Sequence, residues 1–286
     1  MSETQETDPM DVPREHIEGL GDPWAALLVN PAELMPQVVG TVLEAGGTRP
    51  AWQTTYRDQE YMLMAWPQEN PIRAAVIVRG EAGGKLTPAS ATPLLEGLPN
   101  DMTTEDLYPW SNGVEADVAA CRNEEARPLW FYSPLYFRDR AALMTPGVRH
   151  TFMLAGLAYG VRRALLDDMT ITDGPRFETW AEKWLEENPN KTRLDVPPLK
   201  ISLRGACVLL PSPHYTVYQL RAPILDMREC ELSGEKVYIL RLAFGLDTPQ
   251  PLELPLYAPA RVCKNYAPTV GDEIDAIMWL QGRLLD

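Results

Sequence analysis

Pro134-Leu135-Tyr136, then Thr145-Pro146-Gly147 and a hydrophobic run, is one of two stretches on which the fold turns. The other is Pro255-Leu256-Tyr257, then Thr269-Val270-Gly271 and a second hydrophobic run. A pattern met twice in one chain sets architecture before any single residue does. Leu135 aligns with Leu256 and Phe131 with Leu252, so the apolar face stays apolar in both stretches. A slip of one residue would exchange the faces. The expectation is one small strand-rich unit used twice, over residues 113–160 and 236–286.

Downstream of residue 199 the chain reads as strand and turn. Apolar runs cover 199–210, 215–227, 236–244, 252–258 and 273–284, and Ser233-Gly234 is a hairpin turn between two of them. Short strands at this density without a long helix predict a small OB-like Greek-key barrel, with an SH3-like barrel or small sandwich as its rival. The first stretch repeats the theme with strands at 117–121, 129–137 and 148–157, followed by a helical segment at 161–166. Phe177, Trp180, Ala181, Trp184 and Leu185 share a helical face between Asp173-Gly174-Pro175 and Asn188-Pro189-Asn190. Nearer the N-terminus, Asn30 and Gly46-Gly47 bracket a helix over 31–45. Strands follow at 61–66 and 72–79, and residues 81–112, rich in Gly, Pro and Thr, read as loop or short helix.

The predicted class is therefore α+β and β-rich: two OB-like or related Greek-key barrels with an N-terminal α/β region. The division is an acidic tail at 1–21, the α/β region at 22–112, a first barrel-like repeat at 113–172, a connecting helix at 173–198, and a C-terminal OB-like barrel at 199–286.

Composition bounds the function. The chain has 286 residues, 27 of them Pro, and a net charge of −14. So much proline favours short elements and ordered turns over long helices. The charge is uneven: residues 1–120 carry 19 acids against six bases, whereas 121–163 carry seven arginines against three acids. An acidic chain is a poor general partner for a phosphate backbone, but one basic island remains. Met1–Leu20 has six acids and only Arg14 as a base, unlike a signal peptide. No apolar run is long enough to span a bilayer, so no membrane partner and a cytoplasmic location are expected. Cys121, Cys207, Cys230 and Cys263 form no CxxC pair and read as free thiols packed like small hydrophobes.

Motifs for chemistry are sparse. Gly80-Glu81-Ala82-Gly83-Gly84-Lys85-Leu86-Thr87 resembles a phosphate loop but has Arg79 where the first glycine belongs and Leu86 where the magnesium hydroxyl belongs. It reads as a glycine turn. His16, His150 and His214 have no metal-ligand spacing with cysteines or carboxylates, so no metal and no cofactor is expected. No nucleophile elbow is present. Asp167-Asp168 and Glu186-Glu187 project apart on a helix and read as solvated surface.

The strand read at 129–137 does carry a candidate surface. Leu129, Phe131, Leu135 and Phe137 would share the core face, and Trp130, Tyr132, Tyr136 and Arg138 the other, with Arg149 close by in the basic island. Aromatic platforms beside arginines hold unstacked bases in OB barrels; the same stripe would equally serve to pack a neighbouring domain. Three readings follow. The leading one is a non-catalytic protein–protein or assembly role, with another protein or a second copy as partner. Next is single-stranded nucleic-acid binding through Trp130, Tyr132, Tyr136, Arg138 and Arg149. Last is an enzyme whose site unites carboxylates from distant segments.

Overall fold

The computed structural model describes residues 16–18, 23–46, 52–56, 59–80, 85–123, 127–245 and 250–285. The glycine turn at 81–84 and most of the acidic tail lie outside the described residues. The fold is mixed α+β and strand-rich. Among the described residues, no helix is long and apolar enough to cross a membrane.

Two helices open the described chain, α1 (Pro23–Leu27) and α2 (Pro31–Gly46). The Asn30 carbonyl accepts from the Glu33 and Leu34 amides, and its side chain reaches the Glu33 carboxylate. That satisfies amides that no helical carbonyl can reach. Four strands then form an antiparallel meander: β1 (Trp52–Tyr56), β2 (Gln59–Trp66), β3 (Ile72–Gly80) and β4 (Leu86–Leu95). The nearly unbroken apolar run of β3 is what burial on both faces requires. Val76 and Val78 pack in one core with α2, Ala75 and Ile77 in another with Leu135 and Phe137.

The remaining strands are β5 (Leu98–Pro109), β6 (Ala116–Cys121), β7 (Leu129–Ser133), β8 (Arg149–Arg163), β9 (Asp168–Ile171), β10 (Leu199–Ser202), β11 (Val208–Pro211), β12 (Val217–Pro223), β13 (Asp226–Leu232), β14 (Glu235–Phe244), β15 (Leu252–Pro259) and β16 (Glu273–Leu284). Helix α3 (Tyr136–Leu143) links β7 to β8, and α4 (Pro175–Glu187) lies between β9 and β10. Apart from the antiparallel β9–β10 pair, these strands make one ten-stranded sheet that closes on itself through an extra β8–β16 ladder. One ring of pairings runs β5–β6–β7–β16–β8 and back to β5. The other runs β12–β16–β8–β15–β14–β13, with β13 continuing β12 along the chain. Strands β8 and β16 belong to both.

The two stretches that read alike have the same element order: two antiparallel strands, a short helical turn, then a long strand. Their hydrogen bonds match in detail. The Gly147 amide donates to the Thr104 carbonyl and the Gly271 amide to the Ile224 carbonyl; Thr104 donates to Val148 and Ile224 to Asp272. Gly147 and Gly271 both have positive φ, 77° and 89°. Register differs from the sequence alignment, however. Tyr132 meets β16 in parallel, as Tyr257 meets β8, so Tyr132 is the counterpart of Tyr257. The aligned tripeptides are four residues out of step, an even slip that keeps strand parity for Phe131 and Tyr132, whereas Tyr136 lies in α3 with its side chain in the ring core.

Three local expectations fail. Residues 81–112 are not loop but hold all of β4 and β5. Pro88 stands at the irregularity of a strand paired on one side only, where a missing amide costs nothing. The strand read at 129–137 stops at Ser133, and Tyr136 onward is helical. Residues 161–163 continue β8, whose ladder with β16 outweighs local helix propensity. Because β5 is a ring strand, the boundary expected at residue 112 falls inside the first ring.

An aromatic slot and a basic cleft at the first ring

Tyr108, Asp117 and Tyr132 stand side by side across β5, β6 and β7, and Trp130 lies opposite Ala119 one step along. Cross-strand partners share a face, so these side chains all project from the outer face of the ring. Phe131 and Val118, on the other face, are fully buried in the ring core. The alternation expected for Trp130 and Tyr132 against Phe131 is therefore the one observed.

Between Tyr108 and Tyr215 sits the imidazole of His16, which the sequence placed in an acidic tail. Its ring stacks on Tyr108 at 4.0 Å and on Tyr215 at 3.9 Å, within 4° and 2° of parallel. Trp130 closes the slot edge-on at 4.9 Å. His16 Nδ1 lies 2.9 Å from the Asp117 carboxylate, and the Ser111 amide donates to Glu18 at 2.9 Å. Asp117 is buried, which pushes its pKa up, while the bond and the charge of His16 act to lower it. Trp110 Nε1 donates to the other Asp117 oxygen at 3.3 Å.

Beneath the slot is a second buried carboxylate, Glu115, which accepts from the hydroxyls of Tyr132 and Ser90, both at 2.5 Å, and from Asn112. Burial and the neighbouring Glu115 charge hold the Tyr132 hydroxyl well above the usual phenol range, so it stays protonated. Tyr132 is fully buried, tilted against Trp110 and Trp279 in the core that joins the ring to the N-terminal sheet.

Beside the slot opens a cleft of about 500 Å3 lined by Trp130, Tyr215, Tyr218, Arg122 and Arg127 among others. The Tyr218 hydroxyl accepts from the Trp130 amide and donates to its carbonyl, pinning β7 at the rim. Arg149 reaches the Arg122 carbonyl and Gln250, and so adjoins the cleft.

Of the five residues expected to bind, the structure brings Trp130 to this site, sets Arg149 behind Arg122 at its edge without lining the cleft, and leaves three outside it. Tyr132 is covered by the N-terminal sheet rather than open to solvent. Tyr136 is buried in the ring core, and Arg138 pairs with Asp139 and holds the Leu284 carbonyl. Both left the stripe because α3 replaces the second half of the expected strand. The residues that sequence reasoning missed are His16, Tyr108, Asp117, Tyr215 and Tyr218. Asp117 was visible as the one charge in the apolar strand Ala116–Cys121, a pattern that asks for a partner.

Among the described residues the slot occurs once. By register, the counterparts of Tyr108, Asp117 and Trp130 in the second ring are Arg228, Ile239 and Pro255. Among the described residues no cluster of His, Cys, Asp and Glu could hold a metal ion, and the four cysteines are free. No protein family, no curated protein and no solved structure matches this chain.

Proposed function

We propose that the chain is a non-catalytic, cytoplasmic binding protein in which two copies of one OB-like unit interlock, and that it associates with other proteins through the Tyr108–Tyr215 slot. The observation that carries this reading is the seating of the chain's own His16-Ile17-Glu18 segment, a peptide held by ring stacking, one carboxylate bond and one backbone bond. A peptide from a partner or from a second copy, with a flat side chain that donates to Asp117, can make the same contacts. Aromatic anchors over a desolvated polar group are the pattern of interface hot spots.

A second reading keeps support from one feature. Parallel stacking of a planar ring between tyrosines, beside Arg122, Arg127 and Arg149, also suits an unstacked base and its phosphates. The enzyme reading gains nothing, because neither Glu115 nor Asp117 lines the cleft.

Fluorescence anisotropy on the full chain with His16→Ala separates the first two. A labelled peptide of residues 11–21 should bind, with affinity lost on Tyr215→Ala and little affected by salt. A single-stranded oligonucleotide should not bind at about 50 mM salt, where phosphate contacts are strong. Tight, salt-sensitive oligonucleotide binding lost on Trp130→Ala would favour the second reading instead.

A further inference from the structure

The second ring carries a groove that the slot does not explain. It runs for about 950 Å3 between the β9–β10 pair and the outer side of β11, β12 and β16. That is the volume range of sites for small organic ligands. Its apolar wall includes Met169, Ile201, Val208, Leu210 and Ile277. Three of these stay open to solvent, Met169 at 37%, Leu210 at 42% and Ile277 at 46%. Large side chains so exposed along one concave wall mark an interaction surface or ligand groove.

The charged residues lining the groove are mostly cationic. Arg162, Arg176, Arg221 and Lys264 line it, against the single carboxylate of Asp275. Arg221 is committed: it grips Asp275 with bonds of 2.7 and 3.1 Å and holds the Leu166 carbonyl. Arg162 reaches the same carboxylate at 3.5 Å. Arg176 and Lys264 have no ion-pair partner among the described residues, and both are exposed. In a chain of net charge −14, four cations against one carboxylate in the lining are a local excess of positive charge, with Asp167 and Glu273 acting on Arg221 from outside the lining. Positive charge beside an apolar wall selects an anion with a hydrocarbon tail over a neutral lipid or a bare phosphate.

We propose that this groove binds a free single-tailed amphipathic anion of the long-chain carboxylate class, with its head between Arg176 and Lys264 and its tail along Leu210 and Ile277. The test is titration of the full chain with a dansyl-labelled undecanoate. Saturable binding is expected, displaced by dodecanoate and not by dodecyltrimethylammonium, which has the same tail and the opposite charge. Arg176→Glu combined with Lys264→Glu should weaken binding by about tenfold or more, since like charge then faces the head group. Ile277→Lys, on an exposed side chain, should weaken it independently through the tail. Equal displacement by the cationic detergent, or unchanged affinity in the charge-reversed variant, would overturn the proposal. So would flotation with anionic vesicles that dodecanoate does not reverse, which would assign the groove to a membrane surface.

Discussion

At the scale of the residue, Asp117 is held between opposing influences. Burial favours its neutral form, and His16 favours the ionised one. Replacing His16 with Ala removes the bond and the charge and leaves burial, so the Asp117 pKa should rise. A folded chain that keeps a proton the unfolded chain has released gains stability at low pH and loses it as pH rises through the folded pKa. A carboxyl-carbon NMR titration reads the shift directly; an Asp117 titration unmoved in His16→Ala would show that the contact is not formed in solution. Thiol chemistry gives a second residue-scale prediction. Burial raises the Cys263 thiol to about 11. At pH 8, iodoacetamide should therefore alkylate the half-buried Cys207 and Cys230 before Cys263, as peptide mass mapping will show. Little of this was legible in the sequence. Alternation placed Trp130 and Tyr132 away from the core, but only tertiary structure brings His16 and Tyr215 to Asp117.

Between elements, the matching turns make the likeness of the two stretches measurable. Gly147 and Gly271 have positive φ, and a Cβ at either would meet nothing within 4 Å. Alanine there would cost backbone strain alone, about 1–2 kcal/mol at each site. Urea denaturation of Gly147→Ala and Gly271→Ala should give nearly equal losses; a large difference would mean that the turns are not equivalent. Gly282 is another matter, because a Cβ there would collide with the Phe131 ring inside the first ring. Gly282→Ala should cost about 1–3 kcal/mol through overpacking. The Thr-x-Gly half of the sequence pattern identified equivalent turns, whereas the Pro-Leu-Tyr half matched residues four positions apart. Strands β4 and β5 were hidden by their prolines and threonines, which local chemistry assigns to turns. Strand β4 pairs with its chain neighbour β3 across a local turn, whereas the β5–β8 ladder joins distant segments that no short window of sequence contains.

For the whole molecule, the exchange of β8 and β16 between rings has a thermodynamic consequence. One hydrophobic core includes Met102, Phe131 and Phe152 together with Leu240, Leu254 and Met278, so neither ring can lose its packing alone. Tryptophan fluorescence and far-ultraviolet circular dichroism should report coincident unfolding of the two rings in urea. Two separated transitions would show rings that fold independently, as the sequence division into barrels at 113–172 and 199–286 implied.

The central functional claim concerns the slot. Calorimetric titration of the full-length His16→Ala chain with a peptide of residues 11–21 tests it most directly. The expected result is saturable one-to-one binding with a Kd of about 1–100 µM, abolished when Tyr215→Ala is added. Absence of heat, or binding that survives loss of Tyr215, would contradict the assignment of Tyr108, Trp130, Tyr215 and Asp117 as the working surface of this protein.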